Sequence, residues 1–288
     1  MDKAALILNA DGSVYHLGLL PHEISTTLLT VGDPDRVSMI SGHFDHIEVR
    51  KQKREICTHT GSYMGKRLTV ISTGMGTDNI DIVLNELDAL VNLDLKTGQP
   101  KENFTPLTFI RLGTSGAIQP DTSIGSLLLS KNAVGVDNLM HFYSPIKEKE
   151  TSFNRAVQVY FNSKFPRLIP YSAAANSDLI NHFSTSDFTS GITVTHPGFY
   201  GPQGRQGRLP IAFPNWVHDL KKFEHNGLRM TNFDMETAGI YALAELMGHR
   251  ALSINAILAN RWLGTFSLQP EKDTERMIAA ALDSISTL

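Results

Sequence analysis

The sequence predicts an α/β protein organised around one central sheet, mixed or mostly parallel. Three observations carry this expectation. Short apolar runs recur along the 288 residues and end abruptly at glycine or hydroxyl residues. Amphipathic stretches with helical spacing separate them. No internal repeat, low-complexity run or Gly/Ser-rich linker divides the chain.

The apolar runs are Leu28–Val31 before Gly32, Leu68–Ile71 before Gly74, and Phe109–Leu112 before Gly113. Leu127–Leu129, Ile192–Val194 and Ala251–Leu258 follow. Their lack of alternation marks strands buried on both faces. Between them, Ile80, Val83, Leu84, Leu87 and Val91 form one helical stripe, with Thr77 or Asp78 available as N-cap. A second helix is expected from Glu236 to Met247, with Gly248 just past its end, and a terminal one from Glu271 to Ile285. Strands alternating with helices give an α/β fold. Ligands in such folds gather beyond the carboxyl ends of the strands, where this sequence places its glycines.

Composition narrows the partners. With 26 basic against 29 acidic residues the formal charge is -3, which gives no basic face for a nucleic acid. Any bound anion must be held by a few local arginines. Cys57 is the single cysteine, so no intrachain disulfide forms, and an ordinary reduced thiol is expected. The apolar stretch Ala4–Leu8 after Met1-Asp2-Lys3 is too short for a secretory signal. His249 and Arg250 break the most apolar C-terminal region, so no membrane span fits. A cytoplasmic protein with neither nucleic acid nor membrane as partner is expected.

Five stretches carry chemistry. In Gly32-Asp33-Pro34-Asp35-Arg36, glycine lets backbone approach an anion and Arg36 supplies a forked cation. A plain Asp-Pro turn with a solvated arginine is the competing reading. Gly74-Met75-Gly76-Thr77 opens a helix whose free N–H groups can face an anion. Its spacing matches neither a dinucleotide fingerprint nor a P-loop. In Arg111-Leu112-Gly113-Thr114-Ser115-Gly116, an arginine lies inside an apolar strand, costly to bury unless an anion meets it. An edge-strand arginine reaching solvent is the alternative. Phe199-Tyr200-Gly201-Pro202-Gln203-Gly204-Arg205 pairs a donor-acceptor amide with a donor-only guanidinium, suited to the edge of a planar heterocycle with Phe199 on its face. Its glycines equally suit a flexible polar loop. In Asn232-Phe233-Asp234-Met235-Glu236-Thr237-Ala238-Gly239, a carboxylate at a helix start can bind a sugar diol or serve only as a dipole partner.

Together and in this order, from about His16 to Arg261, these stretches resemble the nucleoside phosphorylase-I family, most closely its members acting on uridine. The resemblance implies a single domain over residues 1–288, a three-layer αβα arrangement around a central mixed sheet. It matches Gly32, Arg36, Arg111 and Thr114 to phosphate ligands, and Arg54 to an arginine contributed by a neighbouring subunit. Gln203 and Arg205 match the uracil-reading pair and Phe199 the aromatic beside the base. Thr114, Met235 and Glu236 line the nucleoside, and His16 matches a histidine reaching the sugar 5′ hydroxyl from the adjacent subunit. Asp234 stands where the bacterial pattern has glutamate. Glu55, Met75 and Asn79 align with a potassium site of some members, with Asn79 replacing a serine. Phosphate is then a cosubstrate and no organic cofactor is implied.

The implied reaction converts uridine, or deoxyuridine, and phosphate to uracil and ribose 1-phosphate, with Arg111, Gln203 and Arg205 catalytic through preorganised charge. A homo-oligomer, dimer or hexamer, with shared active sites is implied. The rivals are a purine nucleoside phosphorylase or a nucleosidase of the same family, which use an aspartate where this chain has Ala259, and a non-catalytic nucleoside-binding protein. His43 and His46 read as a surface pair rather than a metal site.

Overall fold

The computed structural model describes residues 6–144, 151–185 and 187–288. The start of the apolar run at Ala4 lies outside the described residues. In chain order the elements are β1 (Thr27–Val31), α1 (Pro34–Ser41), β2 (His46–Lys53), β3 (Ile56–Tyr63), β4 (Lys66–Ser72), α2 (Thr77–Asn92), β5 (Thr108–Ala117) and β6 (Leu127–Gly135). Then come α3 (Ser152–Lys164), β7 (Tyr171–Ala174), α4 (Ser177–Phe183), β8 (Phe188–Thr195), α5 (Trp216–Leu220), β9 (Glu224–His225), β10 (Leu228–Asp234), α6 (Thr237–Met247), β11 (Arg250–Asn260), β12 (Thr265–Phe266) and α7 (Pro270–Ser286). Every apolar run read as a strand is one.

The sheet is mixed, and part of it closes on itself. β5 pairs in parallel with β1 and β11, and antiparallel with β10. β11 pairs antiparallel with β6, β6 in parallel with β8, and β8 in parallel with β10. Strands β5, β11, β6, β8 and β10 thus form a ring, from which β1, β4, β3 and β2 continue outward. Closure removes edges that an open sheet would have to protect.

Alternate residues of the central strands feed opposite layers. Leu28, Phe109 and Ala251 pack beneath α2 and α6, against Ile80, Val83, Leu84, Leu87 and Ile240. Leu29, Ile110, Leu252 and Ile254 pack beneath α1, α4 and α7, against Val37, Phe183, Met277 and Leu282. Being buried on both sides, these strands show no polar alternation.

The helix ends follow local chemistry. Asp33 caps α1 by accepting from the Asp35 N–H, with Pro34 at the first position. Gly248, with φ of 79°, ends α6 in the left-handed conformation that glycine adopts without strain. The start of α2 departs from expectation: neither Thr77 nor Asp78 caps it. Gly76, at φ of 98°, is the N-cap, and its N–H is taken by the Glu236 carboxylate at 2.8 Å. A distant acid, rather than a local hydroxyl, satisfies that donor.

Tyr241 of α6 ties two ring strands together. Its hydroxyl donates to the Ser130 carbonyl at 2.7 Å and accepts from the Ser253 N–H at 2.7 Å, fully inside the core. Tyr241→Phe leaves both backbone groups unpaired, so stability should fall by about 1–3 kcal/mol for each. Urea unfolding with an unchanged slope and a lower midpoint is the expected result; an unchanged midpoint would show that the hydroxyl contributes nothing.

Candidate functional site

Arg111 is the centre of the site, and it is not an edge residue. β5 lies between β1 and β11, and the side chain is 6% exposed. Its guanidinium meets two carboxylates of the same chain: Nη2 donates to Glu236 Oε2 at 2.5 Å, and Nη1 lies 3.4 Å from Asp234 Oδ2. Nη1 also donates to Asn255 Oδ1 at 2.9 Å. The counter-anion that a buried arginine demands is therefore supplied internally. Burial pushes the Glu236 carboxyl upward, and Arg111 pulls against that shift. A Cβ on Gly113 would sit 1.8 Å from Arg111 Nη1, so the side chain folds back over a residue that only glycine can be.

Asp234 and Glu236 divide the labour around the start of α6. Both oxygens of Asp234 are committed: Oδ1 accepts from Thr195 Oγ1 at 2.7 Å, and Oδ2 accepts from the Thr237 N–H at 3.0 Å and from the Thr237 hydroxyl. Glu236 stands at the N-cap position without capping its own helix. Its two oxygens instead join Arg111 to the Gly76 N–H, so the expected helix starting at Glu236 begins one residue later. Half-buried Met235 lies between the two acids.

The first anion stretch stands beside this centre. Arg36 is half-buried and donates to the Leu112 carbonyl at 3.2 Å, which removes the reading of a solvated arginine. Burial and the neighbouring Arg111 hold its pKa below the usual arginine range. Gly32 faces the Gly74 carbonyl, 3.4 Å from where a Cβ would be. The second stretch is partly spent, because the Gly76 N–H already serves Glu236. Thr114 and Ser115 follow Gly113 on β5, both partly exposed.

Glu55, Met75 and Asn79 converge around Gly74. A Cβ there would lie 2.5 Å from Asn79 Nδ2 and 3.6 Å from Glu55 Cγ. Asn79 Nδ2 donates to the Met75 carbonyl at 3.2 Å. The donor set is a carboxylate, a carbonyl and an amide oxygen, which suits a hard cation.

The stretch from Phe199 to Arg205 forms a compact turn. Arg205 Nη1 donates to Gln203 Oε1 at 2.5 Å and to the Phe199 carbonyl at 2.7 Å, and its guanidinium lies 3.6 Å from the Phe199 ring centroid. Gln203 is buried, and its amide nitrogen has no hydrogen-bond partner among the described residues. Arg261 Nη1 holds the Gln203 carbonyl at 3.0 Å. Burial and Arg261 lower the Arg205 pKa to about 10, still charged at neutral pH. The turn rests on a fixed pair: Trp216 Nε1 donates to His196 Nε2 at 2.9 Å, and His196 Nδ1 bonds the Val194 carbonyl at 3.0 Å. Burial pushes His196 down to about 3, so it stays a neutral acceptor.

His16 and Arg54 come together at the Tyr15 ring. The Tyr15 ring meets His16 edge-on at 5.0 Å and Arg54 at 5.8 Å. His16 Nδ1 is 2.5 Å from Glu86 Oε1, and Glu86 also accepts the His16 and Leu17 N–H groups. Among the described residues no hydrogen bond or ion pair joins either to Arg36, Arg111 or Glu236.

Sequence reading missed Asn255, Arg261 and His196. Asn255 had a signal: an amide inside the apolar run Ala251–Leu258 must find partners when buried. Arg261, immediately past the end of β11, had a weaker one. His196 had none, since its partner is twenty residues away on α5.

The comparisons with known proteins agree on the family. A family model described as the phosphorylase superfamily matches residues 26–286. A uridine phosphorylase of Thermococcus kodakarensis is 32% identical over 275 residues, covering 94% of this chain and 86% of that protein. One of Haemophilus influenzae is 26% identical, covering 86% of each. A Trypanosoma brucei nucleoside phosphorylase, whose crystal structure is described as showing uridine phosphorylase activity, superposes with a TM-score of 0.89 at 29% identity, over 98% of this chain and all of that one. The chain belongs to the phosphorylase superfamily.

Proposed function

We propose that the protein cleaves uridine, and deoxyuridine, with inorganic phosphate, giving uracil and ribose 1-phosphate or its deoxy counterpart. The observation that carries this reading is the Gln203–Arg205 turn. It offers an unpaired amide nitrogen beside a guanidinium already oriented on Gln203 Oε1 and Phe199. Such donors suit a pyrimidine edge with carbonyl oxygens.

Phosphate would sit against Arg36, Arg111, the Thr114 hydroxyl and the Gly32 backbone. Met235 and Glu236 would hold the ribose, with Glu236 accepting from its hydroxyls. The bond from the sugar anomeric carbon to the base nitrogen breaks, and its electron pair leaves with uracil. A phosphate oxygen forms the new bond to that carbon. Positive charge on the sugar faces phosphate and Glu236, while negative charge on uracil faces Gln203 and Arg205, an electrostatic division of the transition state. Uracil then takes a proton from solvent.

The charges of one chain fall short of a dianion site. Arg36 and Arg111 are offset by Asp234 and Glu236. Arg54 of a second copy would supply the missing cation and the clustered His16 the sugar contact, in a dimer or a hexameric ring of dimers. Exposed Met75, two residues before α2, would be covered by such a copy. A potassium ion would be held by oxygens of Glu55, Met75 and Asn79. Among the described residues no helix is long and apolar enough to cross a membrane, and we place the enzyme in the cytoplasm.

Uracil release should require phosphate and yield ribose 1-phosphate. Equal release in phosphate-free buffer, with free ribose as product, would make this a nucleosidase. Robust inosine phosphorolysis would return it to the purine enzymes, and binding without turnover would make it a nucleoside-binding protein.

Gln203→Ala and Arg205→Ala should each lower turnover on the order of a hundredfold, as removal of a charge-stabilising donor does elsewhere. Near-normal turnover in both would reduce this turn to a surface loop.

Shared sites make a complementation test decisive. Arg54→Ala and Arg111→Ala subunits, each inactive alone, should regain activity when mixed under exchange, because a mixed dimer holds one intact site. No recovery despite confirmed exchange would place the whole site within one chain.

A further inference from the structure

A circuit of buried hydrogen bonds passes through every strand of the closed ring and returns to the strand where it began. It starts at Arg111 on β5, whose Nη1 donates to Asn255 Oδ1 on β11 at 2.9 Å. Asn255 Nδ2 donates to Ser130 Oγ on β6 at 3.1 Å. Ser130 and Thr193 of β8 share a hydrogen bond of 2.5 Å, and Thr193 Oγ1 donates to Asn232 Oδ1 on β10 at 2.8 Å. Asn232 Nδ2 donates to Ser115 Oγ at 2.7 Å, back on β5 and four residues beyond Arg111. Asn255, Ser130, Thr193 and Asn232 are each fully buried.

Arg111 fixes the direction of the first two links: it can only donate, so Asn255 must turn its oxygen toward it and its nitrogen toward Ser130. In the orientation found, Thr193 donates to Asn232, so Ser130 donates to Thr193, and Asn232 donates from its nitrogen to Ser115. The Ser115 proton is then left for an acceptor outside the circuit.

We propose that this circuit is a positioning device for the phosphate end of the site, with Asn255 as its key: it sets the Arg111 guanidinium and, through the ring, the Thr114–Ser115 segment. The inference rests on the phosphorolysis reading. Asn255 is a positioning residue, acting through Arg111 and touching no substrate. A neutral amide is what the place allows. Arg111 already carries two carboxylates, and a third acid would add negative charge beside an incoming phosphate. An apolar residue would cost Arg111 Nη1 its shortest hydrogen bond and would cut the link from Arg111 to Ser130 in a dry core.

The test measures kcat and the KM values for phosphate and uridine in the full-length chain and in Asn255→Asp, Thr193→Val and Thr193→Ser. Asn255→Asp keeps the oxygen facing Arg111 and removes the donor to Ser130. Thr193→Val breaks the circuit without adding charge, three links from Arg111. In both, KM for phosphate should rise on the order of ten- to a hundredfold, while KM for uridine stays within about twofold, the signature of a displaced phosphate ligand. Thr193→Ser, which retains the hydroxyl, should restore near-normal phosphate KM. Equal movement of both KM values, or a lowered melting temperature with both KM values intact, overturns the proposal. Should Thr193→Val fail to fold, Ser130→Ala decides by the same comparison of KM values, since it opens the circuit without the charge that Asn255→Asp adds. Wild-type turnover is measured first, since absence of phosphate-dependent uracil release refutes the functional reading alone. Calorimetric titration of the same variants with inorganic phosphate then tests the circuit, and affinity equal to wild type refutes it.

Discussion

Placing a guanidinium in the middle of a buried strand is costly, and the arrangement around Arg111 answers that cost with partners drawn from across the fold. Glu236 and Asp234 come from the junction of β10 and α6, and Asn255 and Ser253 from β11. Gly113 leaves room for the side chain to fold back. Glu236 reaches on to the N-terminus of α2. One ion-pair cluster thus fixes how α6 and α2 meet the sheet, and removing any one charge would leave another uncompensated in a dry interior.

The two ends of the site differ in how their arginines are balanced. At the end proposed for phosphate, Arg36 and Arg111 stand beside Asp234 and Glu236, so strong positive potential is tempered before any ligand arrives. At the end proposed for the base, Arg205 and Arg261 lie near each other with no carboxylate partner among the described residues, and burial and mutual repulsion lower the pKa of Arg205. In the proposed binding mode the base would meet the uncompensated guanidinium pair, a polarity that suits negative charge arriving on it and that is in place before substrate binds.

The layers of the fold were legible because the strands are buried on both faces and read as plain apolar runs, and because α2 shows one unbroken stripe. Closure of the ring was not legible. It depends on β11 pairing with β5 and β6 at once, and pairings between segments more than a hundred residues apart leave no local pattern. The cap of α2 was misread for a related reason: Thr77 and Asp78 were adequate local candidates, but a carboxylate from residue 236 took the donor. Among the site residues, those on glycine-rich strand ends stood out, whereas His16 and Arg54 could be connected to the site only through resemblance, since nothing within one chain brings them to it.

Asp234 shows how a departure from a family pattern becomes intelligible once its contacts are known. An aspartate is one methylene shorter than the glutamate of the bacterial pattern. Both of its oxygens stay within reach of the backbone and hydroxyl donors at the start of α6 and the end of β8. Thr195 Oγ1 in turn accepts the Ala238 N–H at 2.9 Å, so two of the first free donors of α6 are satisfied through this one acid. The side chain is therefore consumed in joining β8, β10 and α6 and in facing Arg111. Glu236, with one oxygen on Arg111 and the other on the Gly76 N–H, does not cap its own helix. Met235 stands half-buried between two acids that both turn inward, Asp234 to the start of α6 and Arg111, Glu236 to Arg111 and the Gly76 N–H. Division of roles between adjacent carboxylates follows from side-chain length and from which donors each can reach.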